Sequence, residues 1–214
     1  MLTKIKSATL FGVNAISINV EIDCKMGLPT EHIVGLPDTV IKESRSRIKA
    51  AIKNAGFEYT LRTYTINLAP AEIPKEGSIF DLPIAIGMLF VTGQLDQIPE
   101  AYFVGELSLD GSIRPIRGVV SIAELVLSND IKTLYVPHDN FHEASLIDTI
   151  TVIPVKHLSE LPHLFSNPAI QPKKQKTSSK PRVFDIDYTD VKGQLMGKRA
   201  IEIAAAGRHN ILMI

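Results

Sequence analysis

The segment from Asp81 to Phe90 limits the possible folds more than any other part of the chain. It predicts a helix that begins near Asp81, with Pro83 at an early position where proline is tolerated. This helix is apolar on nearly all of its sides, so other elements must cover it and we expect it to be buried. With 214 residues, 45% of them hydrophobic, the chain can build the core that this requires, and its length suggests one domain and a further piece.

Strands and helices alternate on either side of this buried helix. The first stretch is rich in isoleucine, valine and threonine, and it predicts strands at 4–11, 15–23 and 32–36 with a turn at 12–14. Asp38 is placed to cap a helix whose apolar residues recur at helical spacing up to Ala55. The remaining elements are expected as strands at 63–68, 103–109, 112–116, 133–136 and 151–155, a two-residue hairpin turn at Asp110-Gly111, and helices after Gly118, near 140–147 and at 158–165. The order predicts an α/β (α+β) fold.

The composition of the chain changes after residue 166. Residues 167–183 contain three prolines, several hydroxyl residues and several basic residues, with almost no large apolar side chain, which is typical of a linker. A helix at 193–206 and an apolar strand at 209–214 are predicted after it. We therefore expect a first domain at 1–166, a linker at 167–183 and a separate segment at 184–214. The alternative is that 184–214 forms an amphipathic helix and a strand of the first domain.

Charge and cysteine content exclude several classes of protein. The formal net charge is zero, so no overall field draws the chain to nucleic acid or membrane, and a DNA contact would need a local basic patch. Cys24 is the single cysteine, which rules out an intramolecular disulfide and fits a reducing compartment. No segment resembles a signal peptide or approaches the ~18 apolar residues of a membrane helix. These features predict a cytoplasmic protein without membrane contact.

Two stretches resemble the proteolytic domain of Lon. The sequence Ile73-Pro-Lys-Glu-Gly-Ser78 is similar to the loop that carries Lon's nucleophilic serine. The sequence VGELSLDGSIRPIRG at 104–118, continued by IKTLYVP at 131–137, resembles Lon's hairpin, its lysine-bearing helix and the strand that follows. The resemblance implies a Lon-protease-like fold of the ribosomal protein S5 domain 2 type for residues 1–166.

The wider pattern resembles the ComM/YifB family of magnesium-chelatase-like AAA+ proteins. It adds Gly-Leu-Pro-Asp at 35–38, Asp-Val-Lys-Gly-Gln at 190–194 and AAAGRHNIL at 204–212. The resemblance covers essentially the whole chain and implies a hexameric ATPase in the complete protein. For ComM members it also implies DNA branch migration during natural transformation.

The chain departs from Lon at both catalytic positions. Matching the loop places Ile79 where Lon has its serine, and matching the helix places Ile122 where Lon has its lysine. A serine hydroxyl is a weak nucleophile unless a neighbouring base accepts its proton, so we expect no catalytic residue here. The alternative is a Ser–Lys peptidase with a shifted pair, in which Ser78 is the nucleophile. Lys75, in the same loop, is the nearest lysine in sequence.

The end of the chain resembles the start of an AAA+ module that stops before its ATP-binding loop. P-loop ATPases place Gly-x-x-x-x-Gly-Lys-Ser/Thr after a first buried strand, and that pattern is absent from the 214 residues. By resemblance, Val191 and Gly193 would lie against the adenine of the nucleotide. ATP and Mg²⁺ are therefore expected as cofactors of the complete protein and none is expected in this chain. The expected partners are the rest of the AAA+ module and the other copies of a homo-hexamer.

Two further groups of residues are candidates for binding sites. Lys42, Arg45, Lys49 and Lys53 fall mostly opposite the apolar face of the first helix, where they could form a DNA-facing stripe. Glu43 interrupts them, so a solvated helix face is the alternative. The histidines at 138 and 142 have a spacing that can bind metal on one helix turn, but no second pair of ligands accompanies them, and we expect no metal site.

These residues predict a non-proteolytic accessory domain of an ATP-driven DNA motor. One alternative is the shifted Ser–Lys peptidase. Another is a chelatase-type subunit that drives metal insertion. The Lon-like segment disfavours this alternative, because we expect such a subunit to lack one.

Overall fold

The structure is a computed structural model that describes residues 1–166 and 188–213. The chain divides into two compact units, of which the first contains residues 1–166 and the second contains residues 188–213. The predicted linker at 167–183 lies outside the described residues. Within the described ranges, no helix is long and apolar enough to cross a bilayer.

A seven-stranded mixed sheet forms the centre of the first unit. In chain order the strands of this unit are β1 (Leu2–Phe11), β2 (Asn14–Lys25), β3 (Thr30–Val34), β4 (Thr63–Ala69), β5 (Tyr102–Phe103), β6 (Glu106–Leu107), β7 (Ile113–Arg114), β8 (Thr133–Pro137) and β9 (Thr151–Val155). The sheet has the order β3-β4-β2-β1-β5-β8-β9, and β6 pairs with β7 in a separate ribbon. The strand pairs β4–β2 and β2–β1 are antiparallel, whereas the other four pairs of the sheet are parallel. The predicted α/β class is confirmed.

Five helices pack on this sheet. They are α1 (Thr39–Asn54), α2 (Asp81–Val91), α3 (Val119–Ser128), α4 (Phe141–Ala144) and α5 (Leu161–Ser166). The predicted cap of α1 is confirmed, because the Asp38 carboxylate accepts a hydrogen bond from the Ile41 amide at 2.8 Å. Gly56 follows the end of α1 with a φ of 88°, a left-handed conformation that glycine adopts without steric cost.

The helix α2 is buried as its sequence predicts. All of its residues except Phe90 are buried. A Cβ atom on Gly87 would lie 2.3 Å from the Ile22 Cδ1 atom, so the glycine lets α2 approach β2 closely. α2 packs against β1 and β2, and the loop at residues 70–80 leads directly into its first turn.

The sheet separates two apolar clusters. Alternate residues of β8 enter different clusters: Tyr135 belongs to the one that contains residues of α1, α2 and α5, while Leu134 and Val136 belong to the one that contains residues of α3 and α4. Side chains of a strand point alternately to opposite faces, so the two clusters lie on the two faces of the sheet. Both faces of the parallel half are therefore covered by helices.

The hairpin predicted at 103–116 differs from the structure in two respects. The predicted strand 103–109 is split into β5 and β6, because the Gly105 amide donates to the Ile79 carbonyl at 3.0 Å and its carbonyl accepts from the Leu82 amide at 3.1 Å. The predicted two-residue turn is wrong. The Ser108 amide donates to the Ser112 carbonyl at 2.9 Å across a three-residue turn, and Gly111 has a left-handed φ of 93°.

The second unit contains one helix, α6 (Leu195–Gly207), after a 3₁₀ turn at Tyr188–Asp190. The helix predicted at 193–206 is thus confirmed with a small shift. The strand predicted at 209–214 is wrong for the described residues 209–213, which form no strand. A strand needs hydrogen bonds to a neighbour, and no described strand pairs with this segment.

Candidate functional site

The Lon-like loop is fixed to the start of α1 by backbone hydrogen bonds. The Lys75 amide donates to the Leu36 carbonyl at 3.2 Å, and the Asp38 amide donates to the Lys75 carbonyl at 3.1 Å. The second carboxylate oxygen of Asp38 accepts from the Gly77 amide at 2.9 Å. Asp38 therefore caps α1 and also holds the loop that would carry a nucleophile.

Both positions that the resemblance assigns to the Ser–Lys pair lie in apolar surroundings. Ile122, on α3, is fully buried in the cluster on that face of the sheet, and Ile79 is half-buried and packs against both clusters. The structure therefore brings the two isoleucines to the same cluster. Neither side chain can accept or donate a proton.

The Ser78 side chain forms a hydrogen bond with a carboxylate. Its hydroxyl donates to the Glu106 carboxylate. The Lys75 side chain is fully buried and its amine donates to the Pro70 carbonyl. Burial lowers the pKa of Lys75, which the charge of Glu72 partly opposes. Neither hydrogen bond joins Ser78 to Lys75, so the structure does not form the shifted pair.

A cleft of about 580 Å³ opens beside Ser78. Its lining residues are Thr9, Leu10, Asp38, Glu76, Gly77, Ser78, Ile79, Glu106, Pro115, Ile116 and Arg117. Carboxylates outnumber cations in this set, and it contains no lysine. The cleft therefore lacks the amine that a Ser–Lys mechanism requires.

An ion pair that the sequence did not predict lies close in the chain to this cleft, since Asp81 follows Ser78 and Ile79. Arg47 on α1 contacts Asp81 at the start of α2 through two hydrogen bonds of 2.6 and 3.1 Å, and the Leu107 amide donates to Asp81 at 3.1 Å. Burial raises the pKa of Asp81 to about 6, against the opposing effect of Arg47. The pair joins α1, α2 and β6, with Asp81 buried and Arg47 partly exposed. Its only signal in the sequence is the single acidic residue at the start of an otherwise apolar helix.

The predicted basic stripe lies beside a groove of about 500 Å³ on the outer side of α1. Three of its four residues, Lys42, Arg45 and Lys49, line the groove, whereas Lys53 does not. The remaining lining residues are Pro29, Thr30, Glu31, Glu43, Ser46, Tyr59, Leu61 and Arg62. The contribution of Arg62 was not predicted, because it comes from the loop before β4.

The residues expected near adenine lie in the second unit. Val191 is exposed, and Gly193 has a left-handed φ of 68° just before α6. Within this unit the Tyr188 hydroxyl donates to the Lys198 carbonyl at 2.6 Å, and the Lys198 amine lies 5.5 Å from the centre of the Tyr188 ring. The described part of this unit contains no phosphate-binding loop, as its sequence indicates.

The histidines at 138 and 142 do not share one helix. His138 lies in a 3₁₀ turn and His142 in α4. Among residues 1–166 and 188–213, no group of three or more His, Cys, Asp or Glu side chains is placed to hold a metal ion. The Cys24 thiol is free and buried.

Comparison with known proteins gives two family matches. The family described as subunit ChlI of Mg-chelatase matches residues 20–140, and the family described as magnesium chelatase, subunit ChlI, matches residues 187–214. The first match covers more than half of the chain.

Individual relatives match nearly the whole chain. The uncharacterized protein YifB of Escherichia coli (strain K12) is 40% identical, over 100% of this chain and 42% of its own length. The competence protein ComM of Haemophilus influenzae is 36% identical, over 97% of this chain and 42% of its own length. This chain thus spans about two-fifths of the length of these relatives.

The Lon protease of Aster yellows witches'-broom phytoplasma is more distant. It is 26% identical over 66% of this chain and 20% of its own length. Together with the α/β architecture, this match confirms the Lon-like fold predicted for the first part of the chain.

Proposed function

This chain belongs to the magnesium-chelatase ChlI family, in the group that contains YifB and ComM, and from that membership we propose that it is the non-proteolytic accessory part of an AAA+ ATPase. The observation that carries the proposal is the apolar packing of Ile79 and Ile122 at both positions of the Lon pair. The Lon-like fold is retained there without the groups that cleave peptides. Its use in the complete protein is to contact neighbouring subunits or to guide the substrate.

The complete protein, in this proposal, binds ATP with Mg²⁺ and acts as a homo-hexameric motor on DNA. The family match at 187–214 supports the ATPase, and the identity to a competence protein supports a role in DNA branch migration during natural transformation or recombination. Val191 and Gly193 would contact the adenine. The phosphates would be held by a Gly-x-x-x-x-Gly-Lys-Ser/Thr loop that the 214 residues do not contain.

The first test is for peptidase activity. We expect no cleavage of unfolded casein and no labelling of Ser78 by a serine-reactive phosphonate, because no amine contacts its hydroxyl. Ser78→Ala should behave as the unchanged chain does, and Ser46→Ala is the matched control. Labelling at Ser78, or turnover that Ser78→Ala abolishes, would show that the fold is still a peptidase.

The second test concerns nucleotide. Calorimetry of the 214-residue chain should detect no Mg-ATP binding in the micromolar range, because the phosphate loop is missing. The gene, read beyond the codon for Ile214, should encode that loop. The longer product should hydrolyse ATP faster when branched DNA is added. A longer product that hydrolyses ATP at the same rate with and without DNA would contradict a DNA motor.

A metal-insertion ATPase subunit is the second candidate. Both matching families carry a magnesium-chelatase description, and one of them covers residues 20–140. That match removes the argument that a chelatase subunit would lack the Lon-like segment. The two candidates differ in what stimulates ATP hydrolysis, which is DNA for the motor and the partner that receives the metal for the chelatase.

A further inference from the structure

The groove beside α1 has two banks that are far apart in sequence. One bank is the outer face of α1, with Lys42, Arg45 and Lys49. The other is formed by the segment that opens β3 and by the loop before β4, where Arg62 lies. Four cations thus face one groove from two sides.

These cations are not neutralised by carboxylates. Arg45 donates to two backbone carbonyls, those of Lys42 at 3.0 Å and Glu31 at 3.1 Å. Among the described residues, Lys42, Lys49 and Arg62 form no salt bridge. Three other cations of the first unit do pair with carboxylates, namely Lys4 with Glu21 at 2.9 Å, Lys25 with Asp23 at 3.0 Å, and Arg47 with Asp81 at 2.6 Å. The groove therefore keeps its positive charge free for an external anion.

Of the two carboxylates that line the groove, that of Glu31 already accepts a hydrogen bond from another residue of the groove. The Tyr59 hydroxyl donates to the Glu31 carboxylate. Burial and the charge of Glu31 raise the pKa of Tyr59, so the phenol keeps its proton at neutral pH. The Lys49 amine lies 5.2 Å from the centre of the Tyr59 ring, which holds it over the groove without neutralising it. Four cations against Glu31 and Glu43 leave two positive charges on a chain whose net charge is zero.

The spacing of the cations suits a repeating anion. Lys42, Arg45 and Lys49 are separated by three and four residues, which corresponds to about 4.5 and 6 Å along a helix. Phosphates of one DNA strand advance about 3.4 Å each along the duplex axis, so this row extends past about three of them. The hydroxyls of Thr30 and Ser46 lie among the cations and can donate to phosphate oxygens.

We propose that the groove between α1 and the segments at 29–31 and 59–62 binds the phosphate backbone of a nucleic acid, with Lys42, Arg45, Lys49 and Arg62 as the phosphate contacts. The inference rests on the proposed function and assigns the DNA contact to a particular surface. Lys53 lies outside the groove and, in this proposal, does not contact the nucleic acid. Binding is independent of base sequence, because phosphate contacts carry no sequence information.

The test is fluorescence anisotropy of the 214-residue chain with a labelled oligonucleotide, single-stranded or duplex, over a series of KCl concentrations. The groove variant Lys42→Gln/Arg62→Gln removes one cation from each bank. The matched control Lys53→Gln/Lys156→Gln removes the same charge from two exposed lysines outside the groove, neither of which forms a salt bridge with a described residue. The groove variant should reduce the slope of log affinity against log salt by up to about 1.4 to 1.8, and the control should change it little.

A second variant guards against loss of folding. Glu43→Gln removes a negative charge from the groove and should tighten binding roughly twofold at low salt, whereas Glu124→Gln on α3 should not.

Equal effects of the groove and control variants would overturn the inference, as would absence of binding at low salt. Neither result would refute the DNA motor, which is judged separately by DNA stimulation of ATP hydrolysis in the longer protein.

Discussion

Lys75 and Asp81 are buried six residues apart. Lys75 lies within the loop that would carry a nucleophile, and Asp81 begins the helix that follows this loop. The Lys75 amine contacts the Pro70 carbonyl, and Asp81 contacts Arg47 and the Leu107 amide. The cap by Asp38 was predictable because its acceptor and donor lie three residues apart. The pair between Arg47 and Asp81 was not predictable, because the two residues are 34 positions apart on different helices and their contact depends on how these helices pack. Titratable groups around this cleft thus hold the loop in place.

Replacing Lys75 by methionine should make the free energy of unfolding less dependent on pH in the range directly below the ordinary lysine pKa of ~10.4. Burial lowers the pKa of Lys75 in the folded protein, so the unfolded chain binds more protons in this range. The contribution of Lys75 to the free energy of unfolding is therefore complete above its unfolded pKa of ~10.4, and it is lost as the pH falls through its folded pKa. Its slope is at most about 1.4 kcal/mol per pH unit.

Urea unfolding of the unchanged chain and of Lys75→Met at several pH values measures this difference. The exposed Lys53→Met is the control, and its pH dependence should match that of the unchanged chain. Parallel curves for Lys75→Met and the unchanged chain would mean that the Lys75 pKa is normal.

At the scale of elements, the sequence predicted helices from local patterns but did not predict the hydrogen bonds and close contacts between distant segments. Local patterns were sufficient for α1, α2 and α3, whose apolar residues recur along one segment. The strand predicted at 103–109 failed because Gly105 bonds to the loop at 79–82, a contact that no local pattern reports. The link between β3 and α1 also depends on a contact with a segment that is distant in sequence. Gly35 has a φ of 97°, and a Cβ there would lie 2.2 Å from the Leu68 carbonyl oxygen of β4.

Gly35→Ala should therefore destabilise the fold by roughly 3 kcal/mol or more, because it combines left-handed strain with a backbone clash. The control is Gly93→Ala, where φ is also positive at 77° but no atom lies within 4 Å of the added carbon. That variant should lose only about 1 kcal/mol. Thermal or urea unfolding of both compares the two costs. Similar losses would mean that the chain at Gly35 can move away from β4.

At the scale of the whole molecule, the first unit contains its own sheet and its own two cores. All residues of both apolar clusters lie between Ile5 and Phe165. Phe165 packs edge-on against two aromatic rings of one of them. The centre of its ring lies 5.8 Å from that of Phe103 and 5.5 Å from that of Tyr135. The α/β class of this part could be predicted because helices and strands alternate throughout it. The strand at 209–214 was predicted wrongly, because an apolar run alone does not supply a strand neighbour.

A fragment of residues 1–166 should fold by itself and melt within a few degrees of the 214-residue chain. The reason is that no strand of the sheet and no member of either cluster comes from residues 188–213. Differential scanning calorimetry of the two proteins measures this. A melting temperature of the fragment lower by more than about 8 °C, which is over 2 kcal/mol for a domain of this size, would make 184–214 part of the first domain.

The place of β1 in the sheet has a consequence during synthesis on the ribosome. β1 lies between β2, which ends at Lys25, and β5, which begins at Tyr102. Translation at about 5 to 20 residues per second needs about 4 to 15 s for the roughly 77 residues between them. Throughout that interval the second edge of β1 is open to a neighbouring nascent chain. Lys6 places a positive charge on this strand, and the like charges of two copies of β1 would oppose their pairing while the middle of the chain is being made.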